Sequence, residues 1–190
     1  MKNFTVFLLF AYGAVNFILA ASPAYATDNF PTGVYDATYA CLDLGSVAEH
    51  PLRIISDGKG HVRCESIFDG KASITLWDYP KEKIFVLTES NHKGTEIEFS
   101  PSVLIMDESD LKRIKARPLG AKIIDGHPCH GYESRDGLIV FQSWLGDENH
   151  HLVLSEWASP GGNMGNAMKL KSWSTPNPLP SAEIFEIAKD

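Results

Sequence analysis

Short runs that alternate between apolar and polar positions dominate this chain. In Val34–Leu42 (VYDATYACL), Tyr35, Ala37, Tyr39 and Cys41 share one face and Val34, Asp36, Thr38, Ala40 and Leu42 the other, the period of a strand. Leu52–Ile55 and His61–Phe68 flank Ser56-Asp57-Gly58-Lys59-Gly60. An Asp-Gly pair between extended runs predicts a hairpin, because such turns need positive φ. Ala72–Trp77 and Lys83–Glu89 follow, separated by Asp78-Tyr79-Pro80-Lys81-Glu82. In Thr95–Phe99, Thr95, Ile97 and Phe99 alternate with Glu96 and Glu98.

The period then changes. Ser100–Lys115 is the best helix candidate, with Leu104, Leu111 and Ile114 on one side and Met106 at its edge. Asp107-Glu108 lie early and Lys112, Arg113 and Lys115 late, which suits the helix dipole. A shorter helix, capped by Ser109 and beginning near Asp110, is the alternative.

Strand patterns resume at Ala121–Asp125, which Gly126 and Pro128 break, and again at Tyr132–Ser134 before the turn residues Arg135-Asp136-Gly137. Leu138–Trp144, Leu152–Trp157 and Ala167–Ser174 are three further strand candidates, and Ser159–Asn166 is a loop. Pro176, Pro178 and Pro180 exclude a regular central strand, and Ile184–Ile187 reads as a short terminal one. The expectation is mainly β (α+β): about nine to eleven antiparallel strands with one or two helices.

The beginning of the chain changes the compartment. Lys2 precedes an apolar run from Phe4 to Ala21, and Ala24-x-Ala26 places small residues at a cleavage site, so residues 1–26 read as a secretory signal removed before Thr27. Removing 26 of 190 residues leaves 164, enough for a single domain with its own core. The net charge of −7 becomes −8 with the loss of Lys2. An acidic chain without a basic run is a poor partner for nucleic acid or an anionic membrane surface. Cys41, Cys64 and Cys129 all follow the signal; in an oxidising compartment one pair can bridge, and the pairing stays open between a disulfide and three thiols. A simple meander puts Cys41 and Cys64 on strands that are neither adjacent nor level.

Little here points to chemistry. His127-x-Cys129-His130 and His150-His151 are candidate metal ligands, but the first pair lies on a Pro-broken turn and the second would point to opposite faces if extended. No HExxH, paired CxxC or Gly-x-Ser-x-Gly motif occurs. The expectation is no enzyme, no cofactor and no metal.

Three segments resemble the superfamily of periplasmic outer-membrane lipoprotein carriers (LolA/LolB-like), in an uncharacterised branch: Arg53–Arg63; Gly126–Tyr132 followed by Phe141–Leu145; and the late Ile184–Ile187. The resemblance implies a strongly curved antiparallel half-barrel with helices as a lid on its concave face. It implies a soluble periplasmic monomer that binds or carries a lipid, lipidated peptide or other apolar ligand there without catalysis, with another envelope protein as a further candidate partner. Trp77, Phe85, Phe99, Met106, Phe141, Trp144 and Trp157 are the apolar residues expected to line such a cavity. The alternative is an envelope scaffold or interaction module whose core is filled and which takes no ligand.

Overall fold

Two antiparallel meanders, one from each half of the chain, meet through the first strand and the last. The computed structural model describes residues 30–42, 49–68, 71–88, 91–158 and 164–187. The expected signal lies outside them, as does most of the predicted 159–166 loop. The first meander comprises β1 (Val34–Leu42), β2 (Glu49–Asp57), β3 (His61–Phe68), β4 (Lys71–Asp78), β5 (Lys83–Thr88) and β6 (Asn91–Ile97). The second comprises β7 (Arg117–Ile124), β8 (His127–Asp136), β9 (Ile139–Gly146), β10 (Leu152–Ala158) and β11 (Met164–Ser174). Pairing of β1 with β11 joins them into an 11-stranded sheet in the order β6-β5-β4-β3-β2-β1-β11-β10-β9-β8-β7. The sheet is open: β6 and β7 form its two edges.

Turn chemistry sets the hairpins. Asp57 Oδ1 accepts from the backbone N–H groups of Lys59 (2.7 Å) and His61 (3.1 Å), and Gly58 takes φ +70°. The β7–β8 turn is Asp125-Gly126, at φ 50° and 85°, the two positive values of a tight hairpin. That turn corrects the expected break at Pro128, because β8 resumes at His127 with Pro128 opposite Ile123. Pro118 likewise sits in β7, an edge strand, where a missing N–H is tolerated.

Register shifts bend the sheet into a half-barrel. They fall between Thr38 and Tyr39, Val86 and Thr88, Pro118 and Gly120, Leu152 and Leu154, and Trp157 and Ala158, in five different pairings. Each extra residue bends its strand and increases the local twist.

The connection between the meanders runs from one edge of the sheet to the other. Eleven strands span about 48 Å if flat, so residues 98–116 must travel far, and they do so across the concave face. This segment is mostly extended. Its helix, α1 (Ser109–Ile114), has the extent of the shorter alternative and not the full Ser100–Lys115, but Glu108 stands at its N-cap and Ser109 is its first residue, with its hydroxyl donated to Asp107 Oδ1. The physical reason for the short extent is that carbonyls which a helix would use internally are taken by the sheet. Ser100 O accepts from Trp77 Nε1 (3.3 Å), Val103 O from Ser134 Oγ (2.8 Å) and Met106 O from the Leu152 N–H (2.8 Å).

The core lies between sheet and crossing segment. Ile105 and Met106 share one buried cluster with Tyr39, Leu52, Leu145 and Leu152. The opposite, convex face is covered over the first meander by the C-terminal segment. There Arg63 Nη1 donates to Ile184 O (2.7 Å), and Phe185 lies 6.0 Å from the His61 ring. Ile184–Ile187 is not a strand: Ala182–Phe185 is a single 3-10 turn capped by Ser181, anchored by a side chain and not by a ladder.

Candidate functional site

The inward alternation of the central strands builds the floor of the concave face. On β1, Tyr35, Ala37, Tyr39 and Cys41 all point in and are buried. Trp173 of β11 pairs with Ala37, stacks on the His151 ring at 4.2 Å and meets the Tyr35 ring, tilted by 32°, at 4.7 Å. Burial lifts the Tyr35 and Tyr39 phenols well above their ordinary range, with Asp107 adding to both and Asp110 to Tyr35. These phenols stay neutral and act as packing surfaces that each carry one hydroxyl. Tyr39 donates its own to Leu152 O (3.3 Å).

A buried ionic clasp shapes the crossing segment. Arg113 donates to Asp110 Oδ1 from Nε and Nη2 and to Ser102 O from Nη1, while Asp110 Oδ2 accepts from the Met106 N–H. The Arg113 guanidinium also lies 5.8 Å from the Tyr79 ring centroid, and the Tyr79 hydroxyl accepts from the Ser102 N–H (3.0 Å). Burial pushes the Asp110 carboxyl above its ordinary value against the pull of Arg113. Burial works to lower the Arg113 value too, but Asp110 and Tyr79 outweigh it and Arg113 stays charged.

The seven aromatic and methionine candidates divide between the two faces. Trp77, Phe99, Met106, Phe141 and Trp157 belong to the concave side. Trp77 and Phe99 border the start of the crossing segment, with Phe99 edge-on to Tyr79 at 5.4 Å. Met106 is part of that segment and is buried. Phe141 and Trp157 are cross-strand partners with ring centroids 6.2 Å apart, and both are only part-buried. Phe85 and Trp144 point the other way. Phe85 stands opposite Leu76 and Glu96, out of phase with inward Trp77. Trp144 precedes inward Leu145, lies flat over Gly131, and joins Ile124 and Cys129 in a separate convex cluster. A one-residue offset in a period-two element reverses the face, and only the observed register settles it.

The histidines go to four separate places. His130 Nδ1 meets Asp147 (2.7 Å), His150 Nδ1 meets Glu108 (2.9 Å), His151 is buried on Trp173, and His127 is exposed. Among the described residues no group of three or more His, Cys, Asp or Glu side chains is placed to hold a metal ion. None of the three cysteines forms a disulfide. Cys41 stands opposite His50 and Cys64 opposite Ile54, four residues apart along β2, far beyond bridging distance.

Two inward side chains escaped notice in the sequence. Ser143 and Ser155 face each other on β9 and β10, fully buried beside Phe141 and Trp157. The signal was there: both are polar at positions where the alternation demands apolar residues.

Fold and site together define an open antiparallel half-barrel crossed on its concave face by a partly helical strap. No protein-family model matches the chain, and no curated protein does. Solved structures do. An uncharacterized conserved protein from Thermus thermophilus matches with TM-score 0.59 at 13% identity, over 86% of this chain and 89% of that one. At that identity the likeness shows the fold alone. A LolA superfamily protein from Nitrosomonas europaea (TM-score 0.40, 13% identity, 85% of this chain and 94% of that one) is a looser match. So is a putative outer membrane lipoprotein-sorting protein domain from Vibrio parahaemolyticus (0.43, 10%, 78% and 88%). The half-barrel assignment here rests on strand order and the placement of the strap, not on these two.

Proposed function

We propose that the chain is a non-catalytic envelope binding or carrier protein that takes an apolar chain between the concave face and the crossing segment. The observation that carries this reading is the Phe141–Trp157 pair. Over the centre of the sheet Tyr39 and Leu152, together with Met106 of the strap, are almost completely buried. Towards the β9–β10 end the inward aromatics continue, yet Phe141 and Trp157 remain part-exposed. An apolar surface that continues a core and stops being covered is where an alkyl chain gains most by burial, at about 25 cal/mol per Å2. The carrier role, the apolar ligand class and the periplasmic location follow the family resemblance of the sequence.

The test is uptake of a fluorescent polyene lipid probe by purified protein and by Phe141→Asp, with circular dichroism to confirm that the variant is folded. Loss of uptake in a folded variant is the expected result. Equal uptake by both, or none by the unaltered protein, would overturn the reading.

A further inference from the structure

We infer that Ser143 and Ser155 form a polar anchor in the concave face, selecting a chain that carries an uncharged carbonyl, an ester or an amide, over a plain hydrocarbon. This rests on the binding reading above and names the chemistry that the same face selects.

Both residues point inward. Ser143 lies between Phe141 and Leu145 in the alternation of β9, and Ser155 is two residues from Trp157 on β10. They are direct cross-strand partners, and each is 0% exposed. Neither Oγ has a hydrogen-bond partner in the protein. Other inward hydroxyls are satisfied: Ser56 donates to Gly33 O (2.7 Å), Ser134 to Val103 O (2.8 Å) and Tyr39 to Leu152 O. Among the described residues three buried side-chain polar atoms lack a partner, and two of them are this opposed pair. The third, Trp144 Nε1, is on the convex side. A buried hydroxyl without a partner is costly, and two placed side by side specify a ligand group more readily than they specify a core.

The geometry sets the class of that group. Opposed residues of an antiparallel pair have Cβ atoms about 5 Å apart, so one oxygen admitted in place of the side chains that now cover them can accept from both hydroxyls. Among the described residues the buried guanidinium of the strap, Arg113, is committed to Asp110 and Ser102 O and does not serve a carboxylate there. An uncharged carbonyl oxygen can accept from two O–H donors, and a hydrocarbon leaves both unsatisfied. The Phe141–Trp157 pair is the neighbouring inward position on both strands, about 7 Å along. A chain whose tail lies on the aromatics therefore brings a carbonyl near its end to the serines.

The experiment compares three fluorescent probes on the unaltered protein and on Ser143→Ala/Ser155→Ala: methyl parinarate, parinaric acid at neutral pH, and diphenylhexatriene. In the unaltered protein the ester should bind more tightly than the carboxylate. In the double variant ester affinity should fall about tenfold, hydrocarbon affinity should hold, and thermal stability should not drop, since no satisfied hydrogen bond is lost. If the double variant does not fold, the single changes S143A and S155A should each give an intermediate, ester-specific loss. Ester and hydrocarbon affinities that move together, or neither moving, would overturn the anchor and leave the hydroxyls with internal water only. An unaltered protein that takes up none of the probes would overturn the binding reading itself, a result distinct from unselective uptake.

Discussion

Arg113 donates to a single oxygen of Asp110 twice, from Nε at 3.0 Å and from Nη2 at 2.7 Å, and the two side chains are 6% and 2% exposed. They lie one helical turn apart on α1, where i and i+3 side chains meet. Their remaining bonds reach back to Ser102 and Met106, so the pair ties the helix to the extended half of the strap. Arg113→Met strands a buried carboxylate, and urea unfolding should show a loss of about 3–5 kcal/mol. The double change Arg113→Met/Asp110→Leu should cost less than the single one, because a desolvated pair is replaced by apolar volume. A double variant at least as unstable as Arg113→Met would show that the clasp contributes net stability.

Trp144 supplies a test of face. A Cβ added at Gly131 would overlap Cζ3 of the Trp144 ring, and Lys122 Nζ holds the ring at 3.8 Å from its centroid. Gly131→Ala must displace the indole, at a cost of about 1–3 kcal/mol in denaturant unfolding. Because this contact is on the convex side, uptake of an apolar probe should be unchanged in the folded variant. Loss of uptake at full stability would place Trp144 in the binding path.

Much of the architecture was legible in the chain, and what was not has physical causes. Alternation placed Tyr35, Ala37, Tyr39 and Cys41 on one face because a nine-residue strand samples the period several times. Asp57-Gly58 marked its hairpin because few residues other than Gly tolerate φ +70°. The strap defeated the periodicity. Leu104, Leu111 and Ile114 share a helical spacing, but long-range partners such as Ser134 and Leu152 claim the carbonyls of residues 103 and 106, information that no local window contains. Four residues at Ile184–Ile187 are too few to separate a strand from a 3-10 turn. At the site, residue type indicates apolarity but not face, so the sequence does not separate Phe85 and Trp144 from Phe141 and Trp157.

His151 makes the strap's contact with the sheet sensitive to acid. Its ring stacks on Trp173 at 4.2 Å, and its backbone bridges Asp107 of the strap. Burial lowers its value below the ordinary 6.5, with Asp107 pulling the other way. The unfolded chain therefore takes up this proton first as pH falls. The stability contribution is complete above about pH 6.5 and is lost as pH falls towards the depressed folded value. The thermal midpoint should drop more between about pH 7 and about pH 5 in the unaltered protein than in His151→Phe, which keeps the stack and cannot protonate. Equal drops in the two proteins would remove His151 from the acid response.

The cysteines give a prediction that joins compartment to packing. The signal expected from the sequence would send the chain to an oxidising compartment, and Cys41, Cys64 and Cys129 form no disulfide. Burial, with Glu65 adding to it, pushes the Cys64 thiol up to about 12, and burial with Asp147 raises Cys129, which donates weakly to His127 O at 3.4 Å. The thiolate is the reactive form, so both groups are chemically quiet while the sheet is intact. Cys41, 5% exposed on β1, belongs to the core cluster that includes Ile105 and Met106 of the strap. A disulfide-exchange reagent should find almost no thiol in the folded protein and all three of the chain's cysteines after denaturation without reductant. One reactive thiol in the denatured protein would reveal a bridge and require strands to shift. Rapid reaction of Cys41 alone in the folded protein would instead show that the strap opens on the reagent's timescale, the motion that the proposed uptake at the concave face would need.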